Sequence, residues 1–142
     1  MTSHLASCIF CKIIKSEIPS LKLAETELSY AFLDIGPLSK GHCLVIPKYH
    51  AAKLHELPDN HLADILPLAK KLAIATGAVD YNILQNNGRN AHQVVDHVHF
   101  HVIPKPSESD ESGLGIKWPT TSPSKDELNV VFEEMKAKLS KL

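Results

Sequence analysis

The sequence predicts an α+β domain built on an antiparallel sheet. Three observations carry this prediction: several short runs of β-branched and apolar residues joined by tight turns, two long amphipathic helical patterns, and no regular alternation of strand and helix. The 142 residues suit one compact domain that can bury a core without disulfides.

Four strands and one hairpin follow from the pattern of apolar residues and turn formers. A short helix or turn at residues 8–17 comes first and is stopped by Pro19. The predicted strands are residues 28–34, 43–47, 81–85 and 97–104. The connection at 36–41 contains Gly, Pro and Ser, so it predicts a hairpin between the first two strands.

Two longer helices are predicted. Asp59 is expected to cap the first helix and Gly77 to end it, with Pro67 bending it. Its apolar face is expected to contain Leu62, Ile65, Leu66, Ala69, Leu72 and Ala73. Three prolines and two glycines make residues 105–123 irregular, and Ser124 with Glu127 then forms a capping box. One face of that last helix carries Leu128, Val131, Phe132, Met135 and Leu139.

Composition excludes several classes of protein. The net charge of −1 lacks the basic excess of a nucleic-acid binder, and no apolar run is long enough to span a membrane. No secretory leader is visible, and three cysteines do not suggest a disulfide framework. We expect a soluble intracellular protein, without nucleic-acid or membrane partners.

The run His-Val-His-Phe-His-Val-Ile at residues 97–103 alternates strictly. Alternate side chains of a strand share a face, so His97, His99 and His101 are expected on one side and apolar residues on the other. A metal-binding strand, or a polar face with incidental histidines, is the simpler interpretation. Imidazole can act as an acid, a base or a ligand near neutral pH, so three imidazoles on one face favour a reactive site.

This run resembles the signature of the histidine triad (HIT) family. Three further blocks resemble the Hint branch of that family in the same order, namely CIFCKIIKSEIP, AFLDIGPLSKGHCLVIPKYH and LQNNGRNAHQVVDHVHFH. The resemblance covers roughly residues 8–106. It implies a five-stranded antiparallel sheet with a short N-terminal helix and a long helix. We expect residues 1–142 to form a single domain, with 107–142 as an irregular segment plus a C-terminal helix.

The resemblance implies a nucleotide hydrolase or transferase. His99 would attack the α-phosphorus of an AMP-linked phosphoramidate or adenylate, and water would then hydrolyse the AMP–histidine adduct. His97 and His101 would orient the nucleophile and stabilise the phosphate oxygens. No catalytic metal is implied. The alternatives are a dinucleoside polyphosphate hydrolase and a nucleotide-binding regulatory module with incidental hydrolysis.

The resemblance also implies a nucleotide pocket. Asp34 would hold the ribose hydroxyls, Asn86 would contact the α-phosphate, and Gln93 would line the phosphate site through backbone and side chain. The apolar cradle of the base would be formed by Ile9, Phe10, Ile13, Phe32 and Ile35. Without the resemblance, plain core is the better interpretation of those five residues.

Two positions depart from the family pattern. Val94 stands where relatives often carry a serine or threonine that helps the leaving group, so it can offer only its backbone N–H. His92 stands where many relatives have glycine. The leaving-group preference is therefore left open.

Cys8 and Cys11 have a short metal-ligand spacing, which alone also fits a redox pair or two buried cysteines. By resemblance they would bind a structural zinc with His50 and His101, completing a Cys₂His₂ set. Cys43 lies in an apolar strand and is expected to pack in the core.

The resemblance further implies a homodimer in which two sheets form one continuous sheet of ten strands. The segment around Trp118 would then reach the active site of the partner subunit; the alternative is that Trp118 packs locally.

The resemblance implies a location in the cytoplasm and also in the nucleus. The last three residues, Ser140, Lys141 and Leu142, match a peroxisomal import tripeptide, or are a basic helix end by chance. His4, His55 and His61 are expected to be solvated.

Overall fold

The structure, a computed structural model, describes residues 4–142. It contains three α-helices and one five-stranded sheet. The helices are α1 (Ile9–Ile14), α2 (Asp59–Thr76) and α3 (Lys125–Leu139), and the strands are β1 (Lys22–Glu25), β2 (Ser29–Leu33), β3 (Cys43–Pro47), β4 (Tyr81–Gln85) and β5 (Phe100–Pro104). This confirms the α+β class predicted from the sequence.

The five strands pair in the order β1-β2-β3-β5-β4, and every pair is antiparallel. The hairpin between β2 and β3 is present as predicted. β1 has no counterpart among the four strands identified from apolar runs. Most of its residues are exposed because it lies at a sheet edge, so no buried face marks it in the sequence.

The sheet separates two hydrophobic clusters. On one face, α2 packs against a cluster from the central strands that includes Val45, Phe100 and Val102. On the other face, α1 packs against a cluster that includes Phe32 and Leu44. Alternate residues of β2 and β3 therefore belong to opposite clusters, as the pleat of a strand requires. The candidate site lies on the face covered by α1.

The buried side of α2 differs in detail from the predicted one. Ile65, Ala69, Leu72 and Ala73 are buried as expected, and Leu66 is 54% exposed. The buried side instead includes His61 and Leu68. Each fully buried Leu or Ile contributes about 1.5–3 kcal/mol relative to an exposed one, so this face anchors the helix to the sheet.

Both ends of α2 are set by local backbone geometry. The helix begins at Asp59 itself, and Pro58 occupies the N-cap, so the prediction that Asp59 is the cap is wrong. An extended proline backbone leads directly into the first turn. The chain continues helical through Pro67. Gly77 ends the helix at a φ of +74°, a conformation that glycine adopts without strain.

The C-terminal part is less buried than the core. Residues 105–123 are irregular, as predicted, and the Gly113 N–H donates to the Leu38 carbonyl at 2.8 Å. Ser124 and Glu127 form the expected capping box at the start of α3. None of the residues in α3 is buried, so its apolar side is exposed in the single chain. Within residues 4–142, no helix is both long and apolar enough to cross a membrane.

Two predictions about single side chains have different outcomes. His61 is buried with its ring centroid 5.0 Å from that of Tyr49, so the expectation that it is solvated is wrong. The start of α2 turns it under the helix, against the loop after β3. His4 and His55 are exposed. Cys43 is buried in the core as predicted, and burial raises its pKa to about 11.

Candidate active site

The histidine run crosses from a loop into β5, which begins only at Phe100. The predicted strand start at residue 97 is therefore wrong, because the N–H groups of His97 and Val98 bond to Val95 and Ala51 instead of a neighbouring strand. The alternation of apolar residues is nevertheless present. Val98, Phe100 and Val102 are buried in the α2 cluster.

His99 is buried with one nitrogen committed to the backbone. Its Nδ1 lies 2.7 Å from the His97 carbonyl oxygen, which can only accept, so Nδ1 carries the proton and donates. The other nitrogen, Nε2, then has a free lone pair. Burial lowers the pKa of His99, and the hydrogen bond to the His97 carbonyl opposes that shift. A neutral imidazole with a free Nε2 is the form that can act as a nucleophile.

His101 is linked to the backbone through His42. The Leu38 N–H donates to His42 Nδ1 at 3.0 Å, so the proton of neutral His42 lies on Nε2. That Nε2–H donates to His101 Nδ1 at 2.9 Å, which places the His101 proton on its own Nε2. The chain of donors thus leaves His101 with a free N–H. Burial, with the nearby His99 and His42, lowers the pKa of His101 to about 4.

Asp34 lies beside this pair of imidazoles. One carboxylate oxygen, Oδ1, accepts from the Gly36 N–H at 2.8 Å, and the other, Oδ2, lies 3.5 Å from His42 Nε2. Asp34, His42 and His101 could in principle form a metal site. The Leu38 N–H opposes this, because it keeps the proton of His42 on the nitrogen that would have to bind the metal. Asp34 therefore offers an acceptor for hydroxyl groups.

A cavity of ≈ 520 Å³ lies between α1 and the sheet and contains these groups. Ten of the eleven residues predicted for nucleotide binding line it, namely Ile9, Phe10, Ile13, Phe32, Asp34, Ile35, Asn86, Val94, His99 and His101. Ile35 is 91% exposed and lies at the rim, whereas Phe10 and Phe32 are buried and meet edge-to-face. The volume and apolar walls suit a small planar ligand.

Gln93 is the exception and requires a correction. Its side chain is buried, accepts from the Gly88 N–H, and donates to the carbonyls of Ala52 and Val95. Its own N–H donates to the Gly88 carbonyl. These bonds occupy both ends of the amide, so Gln93 braces the loop from behind and does not line the cavity.

Both departures from the family pattern lie at the cavity. His92 has a φ of +67°, which lies in the left-handed region that favours glycine. This conformation accounts for the glycine of the family pattern at this position. Val94 is exposed there and its side chain has no hydrogen-bonding group. Asn86 also lines the cavity and donates from Nδ2 to the His92 carbonyl at 3.2 Å.

A second cluster brings together Cys8, Cys11, His50 and His97. The His97 Nε2–H donates to the Pro47 carbonyl at 2.8 Å, which leaves Nδ1 free to act as a ligand. This Nδ1 lies 3.4 Å and 3.7 Å from the sulfurs of Cys8 and Cys11, and 3.1 Å from His50 Nδ1. Ligand atoms on a tetrahedral zinc are about 3.3–3.7 Å apart, and these separations lie within or close to this range, so this donor set fits zinc.

The predicted fourth ligand, His101, is not in this cluster. His97 and His101 are four residues apart, and His97 lies in the loop before β5 whereas His101 lies in the strand, so their rings reach different neighbours. His97 joins the cysteines, and His101 joins His42. The three histidines therefore do not share one function: His99 and His101 line the cavity, and His97 does not.

His42 is the site residue that sequence reasoning missed. It lies one residue before β3 and alternates with Leu44, which pairs with His101 across the sheet. The signal available in the sequence was its spacing: His42 is two residues before Leu44 and four before Ile46, so it continues the alternation of apolar residues in this strand. Leu114 also lines the cavity, from the irregular segment after β5, and no pattern in the sequence predicts this.

Comparison with known proteins agrees with this site. Residues 15–108 match the HIT domain. The chain is 63% identical over 133 residues to an adenosine 5′-monophosphoramidase of Schizosaccharomyces pombe, covering 94% of this chain and 98% of that one. It is 60% identical over 134 residues to an adenosine 5′-monophosphoramidase of Saccharomyces cerevisiae, covering 94% of this chain and 84% of that one.

Solved structures show the same fold. A crystal structure of a histidine triad nucleotide-binding protein from Candida albicans matches with a TM-score of 0.90 and 54% identity, over 95% of this chain and 99% of that one. A HIT family protein from Bacillus subtilis matches with a TM-score of 0.85 and 36% identity, over 92% and 96% of the two chains. By its domain match and its relatives over nearly the whole chain, this protein belongs to the HIT domain family.

Proposed function

We propose that this protein is a hydrolase that releases AMP from adenosine 5′-phosphoramidates and from aminoacyl- or lysyl-adenylate-like compounds. The observation that carries the proposal is the buried His99, which has a free Nε2 and lines a nucleotide-sized cavity. The names of the two yeast relatives, both adenosine 5′-monophosphoramidases, support the choice of substrate class.

The proposed reaction has two displacements. His99 Nε2 forms a bond to the α-phosphorus while the bond from phosphorus to the leaving amine breaks. Water then attacks the phosphorus, and the bond to His99 breaks to release AMP. The amine takes up one proton as it leaves and the attacking water gives up one, so protons balance over the two steps. The covalent intermediate replaces one difficult displacement with two easier ones.

The remaining groups bind and orient the nucleotide. His101 presents its Nε2–H to the phosphoryl oxygens, where negative charge develops in the transition state. Asp34 Oδ2 accepts from the ribose hydroxyls, and Phe10 and Phe32 contact the base. His97 contributes its carbonyl, which keeps the proton of His99 away from the attacking nitrogen.

We propose a structural zinc at Cys8, Cys11, His50 and His97. The fit of the donor set and the Pro47 carbonyl that orients His97 support it. Of these four residues, only His97 belongs to the histidine run that contains His99. None of the four lines the cavity. Zinc would tie α1 to the loop before β5, and the reaction would proceed without a metal at the phosphorus.

We also propose a homodimer formed through β4. This strand is an edge of the sheet, and it exposes Tyr81 and Ile83, which is unfavourable for an unpaired strand. Pairing the β4 strands of two subunits would join their five-stranded sheets into a single sheet of ten strands. Two further apolar side chains, Ile74 near the end of α2 and Val79 just before β4, are also exposed.

The central experiment compares AMP release from an adenosine 5′-phosphoramidate with AMP release from diadenosine polyphosphates. We expect faster turnover of the phosphoramidate, and mass spectrometry of quenched reactions should find AMP bound to the peptide that contains His99. Faster cleavage of the dinucleotides would favour the polyphosphate hydrolase. Tight AMP binding without turnover or adduct would favour a regulatory module.

The variant His99→Ala provides the control. It should abolish turnover and adduct formation, because no other described imidazole in the cavity has a free nitrogen in the same place, while AMP binding falls only a few-fold, by roughly the share of one contact. Retained turnover would remove His99 from the role of nucleophile.

A further inference from the structure

The carbonyl groups of Gln93 and Val94 are both held by the guanidinium group of Arg89. Its Nη1 lies 2.9 Å from the Gln93 carbonyl oxygen and 2.6 Å from the Val94 carbonyl oxygen. The next carbonyl, that of Val95, accepts from the Gln93 side chain at 3.0 Å. Hydrogen bonds from a charged, planar donor are strong and directional, so these peptides cannot rotate without losing them.

The N–H groups of these peptides, those of Val94 and Val95, belong to residues that line the cavity. In a trans peptide the N–H points away from the C=O, and the described chain contains no cis peptide. The N–H groups of Val94 and Val95 therefore point away from Arg89. Among residues 4–142, no protein group accepts a hydrogen bond from either of them. Both residues line the cavity together with His99.

We infer that Arg89 is a positioning residue that holds the Val94 and Val95 N–H groups as a pair of donors for the phosphoryl oxygens of the nucleotide. The inference rests on the proposed function for its substrate. Successive backbone N–H groups form concave sites that bind anions. Because Val94 lacks a side-chain hydroxyl, its backbone N–H is the one donor that this residue can offer to the phosphoryl oxygens.

The surroundings of Arg89 do not indicate a role in overall stability. The Arg89 side chain is 64% exposed, and its ion pair with Asp96 is long, at 3.5 Å, with both side chains largely in solvent. Such surface pairs contribute little to folding. The short contacts of Arg89 are those to the two carbonyls, so its removal should change the loop more than the fold.

The test uses the full-length protein and the variant Arg89→Ala. We expect kcat for the phosphoramidate to fall roughly 10- to 100-fold with a smaller change in KM, because donors to the phosphoryl oxygens act most strongly in the transition state. In spectra of ¹⁵N-labelled protein, AMP should shift the Val94 and Val95 amide signals downfield in the wild type and much less in the variant. Added guanidinium at low millimolar concentration should restore part of kcat.

Two further variants separate positioning from charge. Asp96→Asn removes the ion-pair partner and leaves both carbonyl contacts in place, so kcat should stay near the wild-type value. Lys136→Ala, on α3, removes an exposed positive charge elsewhere and should have no effect. If Asp96→Asn or Lys136→Ala lowers kcat as much as Arg89→Ala does, general electrostatics explains the effect and the positioning role is wrong.

The outcome for the proposed function is read separately. If the wild type does not hydrolyse the phosphoramidate, the proposed function fails, and the AMP titration still tests Arg89 through the two amide signals. If the wild type is active and Arg89→Ala has unchanged kcat and unchanged amide shifts, the role of Arg89 is refuted while the proposed function stands.

Discussion

His42 Nε2 donates to His101 Nδ1 at 2.9 Å, and this bond determines which nitrogen of His101 carries its proton. The direction follows from the Leu38 N–H, which occupies the other nitrogen of His42. A residue that need not touch the substrate thus defines the donor that faces the cavity.

Replacing His42 by phenylalanine should lower kcat for the phosphoramidate roughly 10- to 100-fold, because His101 loses the bond that places its proton on Nε2. Steady-state kinetics measures the effect. His61→Phe is the matched control, since His61 is also buried against an aromatic ring and lies outside the cavity wall. Wild-type turnover in His42→Phe would show that the proton position on His101 is unimportant.

Zinc content should distinguish the two outer histidines of the triad. His97→Ala should lose zinc, because Nδ1 of His97 is one of the four converging ligand atoms, whereas His101→Ala should retain about one zinc per chain. Elemental analysis of protein purified without chelators gives the answer. The reverse result would restore His101 as the ligand expected from the family resemblance.

Loss of a cysteine ligand should reduce stability more than activity. Cys8→Ser should lower the free energy of unfolding by on the order of 3 kcal/mol, because binding of a structural metal is coupled to folding. Thermal or urea denaturation with and without a chelator measures this. Cys43→Ser is the control, because Cys43 is buried and lies outside the cluster. A chelator should lower the stability of this variant by as much as it lowers that of the wild type.

Acid should destabilise the protein through His101. Its pKa is about 4 in the folded protein, against an ordinary value of 6.5, so between these values the unfolded chain binds more protons. The stability contribution is complete above pH 6.5 and is lost as the pH falls toward 4. Urea denaturation at several pH values should show this slope, and His101→Phe should reduce it. An unchanged slope in His101→Phe would assign the acid sensitivity to other groups.

A charge on the edge strand should prevent dimer formation. We expect a dimeric mass by light scattering at micromolar concentration for the wild type and a monomeric mass for Ile83→Asp, because an aspartate in β4 would be buried without a partner. Leu21→Asp changes a residue near the opposite sheet edge and should stay dimeric. A monomeric wild type would exclude the dimer at that concentration.

Much of the site was predictable because the chemistry is concentrated in short segments. Strict alternation across residues 97–103 predicted the buried Val98, Phe100 and Val102 and a group of three histidines, among which the family resemblance singled out His99. The capping box at Ser124 and the stop at Gly77 were also visible, since both depend on a few adjacent residues.

What the sequence by itself determined was the fold class and several local features: the hairpin, the end of α2 at Gly77, the capping box of α3 and the alternation of residues 97–103. The tertiary structure alone decided how distant groups combine. His97 and His101 look equivalent in the sequence, and they differ because one ring meets Cys8 and Cys11 from α1 while the other meets His42 from the edge of β3. The roles of a histidine depend on which atoms occupy its two nitrogens, and those atoms come from segments far away along the chain.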